Sequence, residues 1–279
     1  MAKSALLKSS LAKKYWMALT GLFLCLFLVG HLLGNLQLLA SGDEAALHFN
    51  EYAFFMTTNP GVKILSYVTY FSILFHAIDG IVLTIQNRKA RPKGYVKNNA
   101  AANTIWASRN MAVLGTLILV FIVTHMVNFW SRMHFDENIP LQTVSIDAGD
   151  GIQQEFYITT DGSYVPKKQV EDGTLEIRNR TDFYDARAGV KYKEGYKDLY
   201  KITVDFFKNP DYGLIATILY ALAMLVLAFH LYHGFGSAFQ SMGLNNPSYN
   251  GLIKNFGKAF AIVVPLMFAL IPLYIHFIL

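Results

Sequence analysis

Five histidines lie inside long apolar runs, at positions 31, 76, 125, 230 and 233. Polar groups in a bilayer are costly and usually functional. Neutral imidazole is a good ligand for iron, and the core of a four-helix bundle is a common place to hold haem. His230 and His233 lie three residues apart in AFHLYHGFG, close together on one helix surface. The pattern indicates iron ligation and leaves open which of these two takes part.

The histidines occur in segments long enough to cross a membrane. Only 15% of the 279 residues are charged, below the roughly 25% of soluble domains, and a transmembrane helix needs about 20 apolar residues. The first run is longer than a signal-peptide core and contains polar residues, so we expect a retained helix. We predict an all-α integral membrane protein, with 1–279 as a single membrane domain and spans at about 16–39, 63–86, 109–131, 212–238 and 258–279.

Basic residues mark one end of each span. Because Lys and Arg favour the cytoplasmic side, we predict a cytoplasmic N-terminus and a C-terminus outside. The predicted cytoplasmic segments carry Lys3, Lys8, Lys13 and Lys14, then Arg88, Lys89, Arg91, Lys93, Lys97 and Arg109, and finally Lys254 and Lys258.

A long insert, 132–211, separates spans three and four and is predicted to lie outside. EFYIT and TLEIR alternate like strands, and Asp161-Gly162 and Asp172-Gly173 are turn signals, so we predict one or two short hairpins. A following amphipathic helix, with Leu199, Ile202 and Phe206 on one face, is expected at the membrane interface. Nothing in the insert indicates catalysis.

Helix geometry places the histidines at two depths. His31 follows Lys14 by 17 residues and His125 follows Arg109 by 16, which puts both rings roughly 25 Å from the cytoplasmic charges. His76 and His230 lie at a second level, roughly 15–18 Å from the inner boundary. Two histidine pairs at two depths are explained directly by two stacked b-type haems, held by four of the five helices.

Comparison of FHAIDG in span two with FHLYHG in span four separates the two neighbouring histidines. The shared register aligns His230 with His76 and therefore His233 with Asp79. We predict that His230 is the ligand, and that Asp79 and His233 interact directly, through water or through a haem propionate. The glycines beside the histidines would give a haem room to approach the backbone: Gly30, Gly34, Gly80 and Gly234.

These motifs resemble those of a known family, the five-helix, di-haem cytochrome b anchor subunit of succinate:quinone and quinol:fumarate reductases (respiratory complex II). The resemblance covers nearly everything except 132–211, and it depends on GHLLGNL, HFNEYAFFM, FHAIDG, TLILVFIVTHMVNFW and FHLYHG. It implies that His76 and His230 ligate a proximal haem and that His31 and His125 ligate a distal one. It also implies a bacterial cytoplasmic membrane.

The resemblance further implies electron transfer between partner subunits and a quinone, with menaquinone as the expected substrate. The chain has no G-x-G-x-x-G motif for FAD and one cysteine, Cys25, so a flavoprotein and an iron–sulfur subunit on the cytoplasmic face would supply those centres. Lipid is the other expected partner, and nucleic acid is not expected. Glu51, just before span two, is the candidate for proton transfer to quinone, against the alternative of an ordinary loop acid.

Two other functions fit the same pattern. One is the di-haem cytochrome b subunit of another quinone-linked oxidoreductase, such as a hydrogenase or formate dehydrogenase. The other is a haem-free membrane scaffold or transporter.

Overall fold

Five long apolar helices dominate the structure, a computed structural model that describes residues 9–90, 99, 102, 104–147 and 153–279. Each is long enough to cross the roughly 30 Å hydrocarbon core, and a helix satisfies its own backbone polar groups there. The five predicted apolar helices are confirmed, and they indicate a multi-pass membrane protein. The all-α class holds for the spans but not for the insert, which contains strands. The spans are Leu11–Leu39, Pro60–Ala90, Met111–Phe135, Gly213–Ser241 and Pro247–Phe277.

Two of these helices, spans one and three, include segments that are not regular α-helix. Span one is the α-helix Ser10–Asn35 followed by a 3-10 turn, Leu36–Leu39. Span three is α-helical over Met111–His125, opens into a π-helix over Met126–Ser131 and closes as the short helix Arg132–Phe135. A separate turn of helix, Trp106–Arg109, precedes it.

Asn-Pro pairs define the starts of spans two and five. The Asn59 side chain accepts hydrogen bonds from the backbone of Gly61 at 2.9 Å and Val62 at 3.2 Å. Asn246 accepts from Ser248 at 2.9 Å in the same way. The proline that follows each asparagine lacks an N–H that the first turn would leave unpaired. This cap explains why span five begins at Pro247 rather than near 258, the start predicted from its apolar residues alone.

The chain divides into two compact units. The first contains Met1–Leu33, Ile64–Val123 and Thr217–Leu273, and the second contains Gly34–Lys63, Thr124–Ala216 and Tyr274–Leu279. Lys3, Lys8, Arg91, Lys93 and Lys97, used above to predict orientation, lie outside the described residues.

The first unit has an apolar core between spans one, four and five. Cys25, Leu231, Phe235 and Ala261 form its buried cluster. Leu231 and Phe235 are one helical turn apart, so they share the face of span four that packs on this cluster. Cys25 is therefore a buried packing residue.

The second unit contains helix Asp43–Thr58 and two three-stranded antiparallel sheets, more strand than the predicted one or two hairpins. Short helices lie at Lys167–Glu171 and Leu199–Lys208. The sheet orders are β1-β2-β3 and β4-β5-β6. The strands are β1 Thr143–Asp147, β2 Gln153–Ile158, β3 Tyr164–Pro166, β4 Leu175–Arg178, β5 Asp182–Asp185 and β6 Lys191–Glu194.

The two Asp-Gly turns connect different kinds of element. Asp161-Gly162 lies between β2 and β3, as predicted. Asp172-Gly173 is also a turn, as predicted, but it connects helix Lys167–Glu171 to β4 and does not join two strands. The actual β4–β5 turn has Asn179 and Arg180 at positive φ. Arginine is uncommon there, so the sequence gives no turn signal at this position.

A buried hydrogen-bond network joins helix Asp43–Thr58 to the insert. The Asn50 amide donates to Gln142 Oε1 at 3.1 Å and to Asp198 Oδ1 at 2.9 Å, and its oxygen accepts from the Tyr200 backbone at 3.0 Å. Asp198 also accepts from Lys201 N at 2.9 Å and caps the amphipathic helix.

The amphipathic helix Leu199–Lys208 differs from its prediction in its buried face. Ile202, Thr203 and Phe207 are the buried residues, whereas Phe206 is only half-buried. This face contacts helix Asp43–Thr58 and the π-helical segment. Its most buried residues therefore contact protein rather than lying on a membrane surface.

Candidate haem-ligand site

The His76 ring is held by the backbone of span one. Its Nδ1 lies 3.2 Å from the Met17 carbonyl and 3.3 Å from Thr20 Oγ1. The Thr20 hydroxyl itself donates to the Trp16 carbonyl at 2.8 Å, so Nδ1–H is the donor to both oxygens. Metal-ligating histidines commonly fix one ring nitrogen through such a carbonyl bond. The other nitrogen, Nε2, is then the one available for a metal.

The His230 ring on span four lies beside the His76 ring on span two. The ring centroids are 6.2 Å apart, and the ring planes make an angle of 69°. Two metal–nitrogen bonds of about 2 Å each, plus the ring radii, give a centroid separation of about 6 Å. The observed pair fits a metal held between two imidazoles.

The Nδ1 atom of His230 is buried without a hydrogen-bond partner in the described part of the chain. A buried polar atom of this kind calls for an explanation, such as a redox role or an absent ion or water. In this pair, the His76 ring is therefore fixed by a backbone carbonyl. The Nδ1 atom of the His230 ring has no hydrogen-bond partner among the described residues.

Two glycines lie beside these rings, and sequence reasoning missed both. A Cβ on Gly21 would lie 3.1 Å from His76 Cε1, and one on Gly115 would lie 3.7 Å from His230 Cε1. Each lies on a different span from its histidine, so no spacing within one segment could identify it.

The glycines that were predicted from the sequence to lie beside the histidines do not contact a histidine ring in the way that Gly21 and Gly115 do. A Cβ on Gly30 or Gly80 would meet no heavy atom within 4 Å, and one on Gly234 would approach only Met111, at 3.9 Å. The absence of a side chain at Gly34 makes room for Tyr52, because a Cβ on Gly34 would lie 2.5 Å from the Tyr52 ring.

Asp79 and His233 are not joined by a hydrogen bond or ion pair in the described residues. Asp79 interacts electrostatically with Lys13 and His76, and His233 Nε2 lies 3.5 Å from the Ser237 hydroxyl on its own helix. The predicted interaction between them, whether direct, through water or through a haem propionate, stays a prediction.

His31 and His125 belong to different units and are described separately. His31 is half-buried and stacks on Phe27, one turn earlier, with centroids 5.3 Å apart and planes at 15°. Phe268 lies 5.6 Å away on span five. His125 is the last α-helical residue before the π-helix and lies 5.4 Å from Phe129. Short π-helical segments often occur at functional sites, but the pairing of these two histidines stays a prediction.

Glu51 lies on the exposed side of helix Asp43–Thr58 with a histidine beside it. His48 Nδ1 is 3.6 Å from Glu51 Oε2, and His48 Nε2 is 3.7 Å from Glu44 Oε1. The Glu51 side chain is 46% exposed, against 90% for Glu44. Burial raises the pKa of the adjacent Tyr52, which keeps that phenol protonated.

Among the residues that the structure describes, no group of three or more His, Cys, Asp or Glu could hold a metal ion. The His76–His230 pair supplies two nitrogens, the number that a porphyrin-held iron needs as axial ligands. In comparisons with known proteins, no family model, curated protein or solved structure matches the chain. The resemblance to complex II therefore depends on the quoted motifs alone.

Proposed function

We propose that the chain is the di-haem cytochrome b subunit that anchors succinate dehydrogenase or fumarate reductase to the bacterial cytoplasmic membrane. The observation that carries the proposal is the His76–His230 pair, with rings 6.2 Å apart. The carbonyl of Met17, which fixes one nitrogen of His76, supports the same role.

In this proposal, four histidines on four spans hold two haem b groups. His76 and His230 hold the proximal haem, and His31 and His125 hold the distal haem. Bound haem b supplies one-electron transfer, because its iron alternates between two oxidation states. The chain's own task is to hold the imidazoles, exclude water and keep the rings oriented. The orientation of the His76 ring is held by contacts with Met17, Thr20 and Gly21.

The coupled reactions balance in electrons and protons. Succinate on a flavoprotein partner loses two electrons and two protons to become fumarate, and an iron–sulfur partner passes on the electrons. Quinone, expected to be menaquinone, gains two electrons and two protons to become quinol. Fumarate reduction is the reverse.

Glu51 is the proposed proton carrier for quinone. Its carboxylate is partly exposed beside His48, 3.6 Å away, so it can exchange protons with solvent and with a bound quinone. The positive-inside rule puts this helix on the outer side, opposite the partner subunits.

Asp79 and His233 are proposed to act on the proximal haem indirectly. Asp79 lies within electrostatic reach of Lys13 and His76, so its charge would influence the electron affinity of a centre held there. Asp79→Asn is expected to change the midpoint potential and its pH dependence, and an unchanged redox titration would contradict this role.

Copurification tests the proposed assembly. The tagged chain, extracted in mild detergent from its native host, is expected to bring down a flavoprotein and an iron–sulfur protein that together catalyse succinate-dependent quinone reduction. Recovery of a hydrogenase or formate dehydrogenase instead would favour the other cytochrome b class. Absence of both haem and redox partners would favour a scaffold or transporter.

A further inference from the structure

A groove of about 640 Å³ lies in the first unit, between span four, span five and the turn of helix that precedes span three. One of its lining residues, Ala261, also belongs to the Cys25 cluster. Met224, Ala228, Phe229 and Tyr232 line it at helical spacing. The opposite walls come from Trp106 before span three and from span five. Along span four the groove runs from Ala221 to Tyr232, about 16 Å.

The walls suit a hydrocarbon chain. They are almost entirely apolar, and small residues open the space. On span five the lining residues include Ala261, Pro265 and Ala269. Pro265 has no N–H and so does not pair with the Ala261 carbonyl one turn before it. Trp106 and Phe229 meet edge to face, with centroids 5.5 Å apart, and close one side.

One end of the groove is aromatic and basic. Trp106 and Tyr232 lie there, and both are substantially exposed, at 54% and 40%. Lys258 is one turn before the lining residues Ala261 and Ile262, so it lies at the same end and on the same face of span five. Lys254 lies a further turn along that face.

The positive charges of these two lysines are not neutralised by an acidic partner among the described residues. Both are exposed, and neither makes a hydrogen bond or salt bridge in the part of the chain that the structure describes. No acidic residue occurs anywhere from Tyr212 to Leu279. Basic pockets between helices at a membrane surface bind anionic lipid head groups, and each nearby Lys contributes about 1 kcal/mol.

We infer that this groove binds one anionic phospholipid, with an acyl chain along span four and the phosphate at Lys258 and Lys254. The apolar length accommodates the tail, and charge complementarity selects the head group. A neutral isoprenoid quinone would use the same apolar walls but would gain nothing from the lysines.

Native mass spectrometry of the purified, delipidated protein with its copurifying partners tests this site. The protein is titrated with dioleoyl phosphatidylglycerol and, separately, with dioleoyl phosphatidylethanolamine. Phosphatidylglycerol is expected to bind more tightly. Replacing Lys254 and Lys258 by Gln should weaken it about fivefold per lysine, whereas Lys63→Gln, an exposed lysine at the start of span two, should leave binding unchanged.

Ala269→Phe fills the groove and should abolish the bound lipid, whereas Ala259→Phe, at an exposed position on the same helix, should not. Equal binding of the two lipids, or no effect of the lysine changes, would overturn the inference. Displacement of phosphatidylglycerol by menaquinone, with affinity for the quinone independent of the lysines, would assign the groove to a neutral isoprenoid lipid instead. Haem content serves as a separate readout, so this result does not depend on the proposed electron transfer.

Discussion

Gly21 on span one lies directly against the imidazole of His76 on span two, since a Cβ on Gly21 would lie 3.1 Å from Cε1 of that ring. A Cβ contact of this length requires the ring to give way by a few tenths of an ångström, but the ring is tied to the Met17 carbonyl. The glycine therefore protects the orientation of the proposed ligand.

Gly21→Val is expected to displace His76, because overpacking a fitted site costs about 1–3 kcal/mol. The low-spin haem signal in electron paramagnetic resonance should shift or weaken, and haem content should fall towards one per chain. Gly251→Val on span five is the control, since a Cβ there meets nothing within 4 Å. Equal effects of both variants would show that Gly21 has no special relation to the ligand.

Glu51→Gln removes the proposed proton carrier without changing side-chain size. Since acid–base groups contribute about 10²–10⁴ to rate, quinone-linked turnover of the complex should fall about 100-fold. Succinate oxidation with an artificial dye and haem content should both stay unchanged. Glu44→Gln is the matched control, because Glu44 is also beside His48 but its side chain is 90% exposed. Unchanged quinone turnover in Glu51→Gln would show that Glu51 is an ordinary loop acid with no part in proton transfer.

Asn50→Ala breaks the buried network between helix Asp43–Thr58 and the insert. It leaves the Tyr200 N–H and Gln142 Oε1 without the partner seen here, and an unsatisfied buried group costs about 1–3 kcal/mol. Amides of helix Leu199–Lys208 should therefore exchange with deuterium faster. Asn138→Ala, at an exposed asparagine of the insert, should have no effect; similar acceleration in both variants would argue against a role for the network.

Asp161 makes part of the insert sensitive to acid. Hydrogen bonds from Lys193, Thr159 and Ser163 hold the pKa of its carboxyl well below the usual range. A carboxyl with a lowered pKa stabilises the fold above its unfolded pKa of about 4, and this stabilisation is lost as the pH falls through the folded-state value. Exchange at Thr159–Ser163 should thus be faster in Asp161→Asn at pH 7, and the difference from the unchanged protein should shrink in strong acid. A constant difference across that range would contradict this explanation.

The apolar runs made the five spans predictable, because length and composition are enough to identify a membrane-spanning helix. The start of span five was predicted too late in the chain. Its first turns, which follow the Asn246-Pro247 cap, are polar, and a prediction from apolar residues does not include them. The sheets of the insert were only partly predictable. A charged strand such as KYKE lacks the alternation of apolar and polar residues that identifies a strand, and Arg180 is an uncommon residue at positive φ in a turn.

The proximity of the His76 and His230 rings was predictable because the two segments share a register and a depth. Met17, Thr20, Gly21 and Gly115 were not predictable, because each acts on a histidine of another helix. The interaction of Asp79 with His233 stays a prediction, because equal depth does not determine the rotation of two helices about their axes.

Haem content per chain in the purified protein, measured as the pyridine haemochrome, tests the central claim most directly. We predict two haem b per chain in the unchanged protein, about one in His230→Ala and two, with altered properties, in His233→Ala. Loss of the haem in His233→Ala alone would reverse the ligand assignment. Absence of haem from the unchanged protein would contradict the account.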